Sequence, residues 1–429
     1  MARPPATGGD EPIGASTGAR DDLTARLLDL LATPHTTGAE GPLADRLERR
    51  YRQAGEVVRR IGNSLVIGGP AEPAAAADPP APPQQRASQI SQVRPLVLLV
   101  GHLDVVPPTD EDRTPRRATV DGREVIVGRG ASDMQAGNVV AMRAFEDAEL
   151  RAASPYELAL VLYAGEEGPA AGNELGAVLD TTPWLTKASL AIVLEPTDGR
   201  VELGCLGGLH ALVRFHGRQA HSARPWHGRN ALTMAGELLT ELDHDHVRDV
   251  EVDGITYRDV WSATQAWTDG FGPDSDPGAP PFRNVIPATF TLNLNLRFAP
   301  SRDLAAAENE LRDRVERAPE VEVEVVDRAP PAPPHRHAPV VAAFVDAVAA
   351  PLAGKQAWTD VARFAEFGVP ALNFGPGLTA QAHQRGEYVP VDALVEVARL
   401  LDGFLLRRRP TPDDPGGAPP RASEPGAGA

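Results

Sequence analysis

Two imidazoles and several carboxylates, each just past an apolar run or a tight turn, give this chain the ligand mix of a site for two metal ions. They lie in GHLD at 101–104, GASDM at 130–134, GEEG at 165–168, LEP at 194–196 and AHQ at 382–384. In the His-x-Asp of His102 and Asp104 the histidine can bind a metal while the aspartate holds its tautomer. Asp133, after the tight turn of Gly128, Arg129 and Gly130, has two oxygens with which to bridge two ions. Glu195 then completes one ion, and Glu167 with His383 completes the other. Three carboxylates offset most of the charge of two divalent cations, and water between such ions is a nucleophile near neutral pH. With Glu167 a ligand, adjacent Glu166 is free to take the water's proton and pass it to a leaving amine. Nearby cations and carboxylates tune its pKa for that task.

Each position has a plainer reading. A His-x-Asp is a common turn pair, a Glu-Glu pair is normally solvated, Asp133 can cap a helix, and Glu195 before a proline can be a turn residue. Five such positions in one α/β order are hard to explain as independent accidents. Rival motifs fail on context. GASTG at 14–18 matches a serine-nucleophile pattern but has no strand before it. Gly128 and Gly130 open like a dinucleotide loop, but Asp133 holds the third glycine position. Cys205 reads as a small buried residue.

The elements that must position these residues follow from the apolar pattern. Continuous apolar runs at 95–100, 158–163, 190–194 and 370–374 read as buried parallel strands. Helical patterns at 20–32 (capped by Asp21 or Asp22), 41–53, 138–150, 339–352 and 391–406 surround them, and 56–67 reads as a strand pair. His102, Glu166, Glu167 and Glu195 thus fall just beyond strand C-termini, the edge where open α/β sheets bind ligands. His383 follows the fourth strand through a Gly375-Pro376-Gly377 turn. The middle differs: 209–216, 288–298 and 320–326 alternate with period two, with helical patterns at 230–242 and 303–317. The expected fold class is α/β: a mostly parallel-sheet catalytic domain with an inserted α+β lid or dimerisation domain built on an antiparallel sheet. Its expected divisions are a disordered leader (1–20), a first catalytic-domain segment (21–204), the insert (205–328), a second catalytic-domain segment (329–408) and a disordered tail (409–429). A Pro/Ala-rich stretch at 68–87 reads as a mobile surface loop.

Composition bounds the function. A net charge of −17 argues against nucleic acid as a partner. No apolar run approaches the roughly 18 residues of a membrane span, and the first 18 residues lack the apolar core of a secretory signal. The single cysteine fits a reducing cytoplasm, the expected location. Lys187 and Lys355 are the only lysines; the other basic residues are arginines, which reads as compositional bias.

The order HLDVVP, GRGASDM, GEEG, LEP and AH-x-x-x-E resembles the co-catalytic zinc amidohydrolases that include aminoacylases, acetylornithine deacetylase and glutamate carboxypeptidases. The likeness runs from about Asp21 to Arg407. Within that family it is most similar to the succinyl-diaminopimelate desuccinylases, through GRQAHSARPWHGRN at 217–230, RNVIP at 283–287, LNLRFAP at 294–300 and WTDVARF at 358–364. The resemblance implies a cytoplasmic homodimer joined through the lid, two zinc ions (with cobalt as a substitute) and an N-acyl amino acid substrate. It implies His102, Asp133, Glu167, Glu195 and His383 as ligands, with Asp104 and Glu166 in catalysis. It also implies that His221 reaches a partner subunit's site as an oxyanion donor, and that Asn284, Arg297, Thr359 and Arg363 bind substrate. The chain departs from the family pattern at Leu103, at Gln135-Ala136 after the bridging aspartate, and at Gly207-Gly208, where some members carry an arginine.

Overall fold

The run from Leu96 to Val100 becomes the strand Leu96–His102, which pairs in parallel with Glu157–Tyr163 on one side and Leu190–Val193 on the other. The structure, a computed structural model, describes residues 17–33, 35–70, 94–268, 283–317 and 320–407. Ala371–Asn373 adds a fourth parallel strand beside Leu190–Val193. These strands are buried almost throughout, which is why their sequences are continuously apolar rather than alternating. The antiparallel hairpin Val58–Ile61 and Ser64–Gly68 extends the sheet beyond Glu157–Tyr163. Val201–Cys205, antiparallel to Ala371–Asn373, and the edge strand Leu352–Lys355 extend the other side. The result is an eight-stranded mixed sheet with a parallel centre. Thr17–Leu31, Ala136–Glu146, Pro339–Val348 and Val391–Leu405 pack against one another around it, closing an apolar core that includes Leu98, Val100, Phe145, Leu160, Phe344 and Phe404.

The segment between Cys205 and Pro330 builds a second sheet, five-stranded and wholly antiparallel, ordered Val247–Val252, Ile255–Thr268, Thr289–Phe298, Gly207–His216 and Val321–Ala329. Ala231–Met234, Gly236–His244 and Leu304–Val315 help enclose its own core, which includes Val213, Phe215, Leu292 and Leu311. The two bodies meet where Leu206, Ile255, Tyr257 and Ala299 cluster beside Leu352, and the Tyr257 hydroxyl donates to the Leu203 carbonyl at 2.7 Å.

Several elements differ from expectation. The first helix starts at Thr17, so residues 17–20 belong to it, and Asp22 lies inside it as the 2.8 Å partner of Arg26 rather than as a cap. The helix expected over 339–352 ends at Val348, because Ala349 turns left-handed (φ 50°) and Pro351 follows; Leu352 instead opens an edge strand. The helix expected over 138–150 is two, broken at Asp147, whose carboxylate caps the second by accepting from the Leu150 N–H at 2.9 Å. The one expected over 230–242 divides at Ala235. Two hairpins went unanticipated: Arg116–Val120 with Arg123–Val127, and Val247–Val252 with Ile255–Thr268. Both turn on Asp-Gly pairs with positive φ at each residue, Asp121-Gly122 and Asp253-Gly254. The first hairpin joins Tyr388–Pro390 in a small three-stranded sheet. The expected leader to residue 16, most of the Pro/Ala loop, residue 408 and the tail (409–429) lie outside the described residues.

Candidate metal centre

The four parallel strands end at one edge, and the loops leaving that edge carry the candidate ligands. His102 is the last residue of its strand; Glu166 and Glu167 follow Tyr163, and Glu195 follows Val193. Two glycines fix the height of Glu195. A Cβ on Gly137 would stand 2.2 Å from the Leu194 carbonyl oxygen, and one on Gly375 would stand 2.3 and 2.4 Å from the carbonyl oxygens of Leu194 and Glu195. Only glycine lets helix Ala136–Glu146 and the turn after Asn373 close on that loop from both sides.

Asp133 sits in the irregular turn Ala131–Gln135 that opens this helix, and its peptide bond to Met134 is cis. The turn is held from below by Glu387, whose buried carboxylate accepts from the N–H groups of Gly130 (2.9 Å), Ser132 (2.8 Å) and Asp133 (2.9 Å). Arg129 pairs with that carboxylate at 3.1 Å and with Asp112 at 3.0 Å. Burial pushes Glu387 up to about 7, against the pull of those N–H groups. His383 is half exposed and lies in the left-handed region (φ 61°), a conformation a non-glycine keeps only where its surroundings impose it.

These loops bring the five candidate ligands together. His102 Nε2 lies 3.3 Å from one Asp133 oxygen, and His383 Nε2 lies 3.6 Å from the other and 2.8 Å from Glu167. Donor atoms of His102, Asp133 and Glu195 fall within 4.8 Å of one another, as do those of Asp133, Glu167 and His383. The two triads share Asp133. A third group, His102 with Glu166 and Glu167, meets the same distance, but Glu166 is the one carboxylate the first two triads do not need. Nitrogen and oxygen donors without sulfur suit divalent first-row metal ions. The electrostatics also fit a cation pair. Burial, then the charge of Asp133, pushes Glu195 up to about 8; burial pushes Glu166 well above the carboxylate range, with His102 opposing. Burial acts to raise Asp133 as well, but its bond to His102 and the charges of His102, His383 and Lys355 together outweigh this and hold it low. Burial acts to lower His102, yet the Asp133 bond and the Glu166 charge carry it well above its ordinary value. Carboxylates crowded in this way want positive charge between them.

Asp104 acts differently from expectation. The His102 Nδ1–H donates to the Asp104 backbone carbonyl at 2.9 Å, while the carboxylate stands 3.8 Å from that nitrogen. The carboxylate instead accepts from the N–H groups of Glu166 and Glu167 and from the Thr37 hydroxyl, all at 3.0 Å. It therefore sets the Glu-Glu turn, and the main chain sets the tautomer.

A crevice of about 840 Å³ opens over the centre, lined by Asp133, Glu166, Glu167, Glu195 and His383 and also by Arg200, Lys355 and Thr359. The tip of the hairpin Val247–Val252 and Ile255–Thr268, Gly254 to Thr256, contributes to its wall. The other expected substrate residues do not line it. Arg363 is engaged 2.6 Å from Asp360, a buried carboxylate that also accepts from the Tyr163 hydroxyl at 2.6 Å. Arg297 lies along the strand Thr289–Phe298 beside Gly208, where a Cβ would meet its guanidinium at 2.8 Å. His221, on the small ladder Ala220–His221 and Val285–Ile286, and Asn284, just before it, are both exposed. The Ala223 N–H donates to His221 Nδ1 at 3.0 Å, which leaves the proton on the outward Nε2. Glu387 and Lys355 had no role in the sequence reading. Glu387 closes the AH-x-x-x-E motif, and Lys355 is one of two lysines in the chain, so each had a signal without a role.

Comparison with known proteins gives the same picture. Residues 98–407 match the profile of peptidase family M20/M25/M40. A Mycobacterium tuberculosis protein is 34% identical over 386 residues, 90% of this chain and 97% of that one. The succinyl-diaminopimelate desuccinylase of Corynebacterium glutamicum is 33% identical over 389 residues, 89% of this chain and 95% of its own. Among solved structures, the aminopeptidase PepT of Bacillus cereus superposes with a TM-score of 0.67 at 16% identity, covering 90% of this chain and 98% of that one. The Bacillus subtilis YXEP protein, a dinuclear metal binding peptidase, gives 0.59 at 12% identity, covering 91% of this chain and 98% of that one.

Proposed function

The chain belongs to peptidase family M20/M25/M40, and from that premise we propose that it cleaves N-succinyl-LL-2,6-diaminopimelate to succinate and LL-2,6-diaminopimelate. The observation that carries the reading is the pair of donor triads sharing Asp133, with Glu166 uncommitted beside them. The acyl group comes from the named Corynebacterium relative, which aligns over nearly its whole length. His102, Asp133 and Glu195 would hold one zinc ion, and Asp133, Glu167 and His383 the other, with cobalt as a substitute. When bound, the metal pair supplies a water that loses its proton near neutral pH and polarises the scissile carbonyl.

The rest is the work of the side chains. Glu166 takes the water's proton and delivers it to the departing amine, from a turn whose N–H groups Asp104 holds. His221, with its proton on Nε2, donates to the carbonyl oxygen of a partner subunit's substrate, and Asn284 and Arg297 approach from the same lid. Thr359 lines the crevice in this chain. Residues 205–328 serve as lid and dimer contact, residues 21–204 and 329–408 form the catalytic domain, and the homodimer works in the cytoplasm.

The test is hydrolysis of N-succinyl-LL-2,6-diaminopimelate beside N-acetyl-L-ornithine, with zinc, with cobalt and after chelation. Metal-dependent turnover of the succinyl compound alone supports the reading. Turnover of the acetyl compound alone overturns the substrate and leaves the centre intact.

A further inference from the structure

The wall of the crevice is acidic: beyond the candidate ligands and Glu166 it carries Asp198 and Glu202. A substrate with several carboxylates enters such a space only if fixed cations meet it. Lys355 is buried and committed, its Nζ lying 2.9 Å from Glu202 and 2.9 Å from the Pro196 carbonyl oxygen. Arg200 is different. It lines the same crevice, is exposed, and among the described residues its guanidinium has no hydrogen bond and no ion pair.

The acids nearest to it in sequence are taken. Asp198 accepts from the Thr379 N–H at 3.1 Å and its hydroxyl at 2.7 Å, and Glu202 faces Lys355. The backbone around Arg200 is fixed: its own N–H donates to the Thr197 carbonyl at 2.9 Å, and the Asp198 N–H donates to Gly377 at 3.0 Å. The loop that starts with ligand candidate Glu195 therefore ends in an uncommitted planar cation on a held base. A guanidinium fork matches a carboxylate with two parallel N–H bonds.

We infer that Arg200 binds a substrate carboxylate remote from the scissile amide and thereby selects acidic N-acyl amino acids; this rests on the deacylase reading above. The substrate offers that group at its acyl end or at its distal amino-acid end.

The experiment compares the zinc-loaded full-length enzyme with Arg200→Gln and Arg200→Lys on three compounds. These are N-succinyl-LL-2,6-diaminopimelate, its N-acetyl counterpart without the acyl carboxylate, and Nα-succinyl-L-lysine without the distal one. The glutamine variant should raise KM for the first at least about tenfold with kcat within about twofold, and lysine should fall between. The compound lacking the contacted carboxylate should be handled alike by wild type and Arg200→Gln, which tells the two ends apart. Unchanged KM on all three, or a fall in kcat at constant KM, overturns the inference. If wild type hydrolyses the acetyl compound and not the succinyl ones, the acyl assignment falls. Arg200 is then tested at the distal carboxylate, where an unchanged KM overturns it. Calorimetric titration with succinate and with diaminopimelate gives a readout without turnover: Arg200→Gln should weaken one product about tenfold and spare the other.

Discussion

Glu166 and Glu167 are neighbours with different proposed tasks, and they differ in what already holds them. Glu167 stands 2.8 Å from His383, whereas Glu166 lines the crevice without a side-chain bond among the described residues. Glu166→Ala should lower kcat by about 10²–10⁴-fold while zinc content, read by atomic absorption, stays near wild type. Loss of metal together with activity would contradict the proton-shuttle role. Among the described residues Glu387 makes no hydrogen bond or ion pair with a candidate ligand side chain, yet it receives three N–H groups around Asp133 and an arginine. Glu387→Ala leaves Arg129 buried with one partner, so chemical denaturation should show a loss of about 3–5 kcal/mol. Competition with a chelator should show zinc affinity down about 10–100-fold. An unchanged affinity would mean that the Asp133 turn holds itself. The candidate ligands were legible in the sequence because each sits at the end of an unmistakable strand or beside a glycine turn. The use of Glu387 was not, since nothing local in residues 382–387 says that the fold brings them under residues 130–133.

At the scale of elements, legibility followed burial. The central strands are covered on both faces, so their apolar runs announced them. Arg116–Val120 is largely exposed and polar, and only its Asp-Gly turn marks the hairpin. Val201–Cys205 and Leu352–Lys355 are short, and their strand character comes from each other and from the sheet edge they complete. Packing of elements onto the Glu195 loop makes its own prediction. Gly375→Ala would push a methyl group into two backbone carbonyls, so it should destabilise by at least about 1–3 kcal/mol and weaken zinc binding. Gly403→Ala, in helix Val391–Leu405 with nothing near its Cβ, should instead stabilise by about 0.5–1 kcal/mol. Equal melting shifts for the two would refute the close-approach argument.

For the whole molecule, charge in the centre sets how stability responds to pH. Without metal, Glu195 holds its proton up to about 8 and Glu387 up to about 7, both above the ordinary glutamate value of 4.5. Between those values and 4.5 these two carboxyls bind more protons in the folded chain than in the unfolded one, so their contribution to metal-free stability falls as pH rises, against the smaller opposite pull of His35 and His335, which burial lowers. His102, also raised, acts in the same direction as the carboxyls. The melting temperature of chelated protein should drop between about pH 5 and pH 8.5, and the gain from added zinc should widen over the same range. A rising or flat metal-free curve would sink this account. The proposed dimer has a test at the same scale. Mixing inactive His221→Ala and Glu166→Ala chains under subunit exchange should recover about a quarter of wild-type activity if His221 serves the partner, and none if it serves its own chain. The arrangement of the candidate ligands along the chain also sets an order of events. His102, Asp133 and Glu195 all precede the inserted antiparallel sheet, whereas His383 follows it. During synthesis the donors of the first triad have all been made before the insert begins, and the second triad gains its histidine only when the insert is already complete. The supports of the first triad come late as well: Gly375, on which the Glu195 loop closes, and Glu387, which holds the Asp133 turn, are made after the insert, so neither half of the centre is finished until the last quarter of the chain is in place.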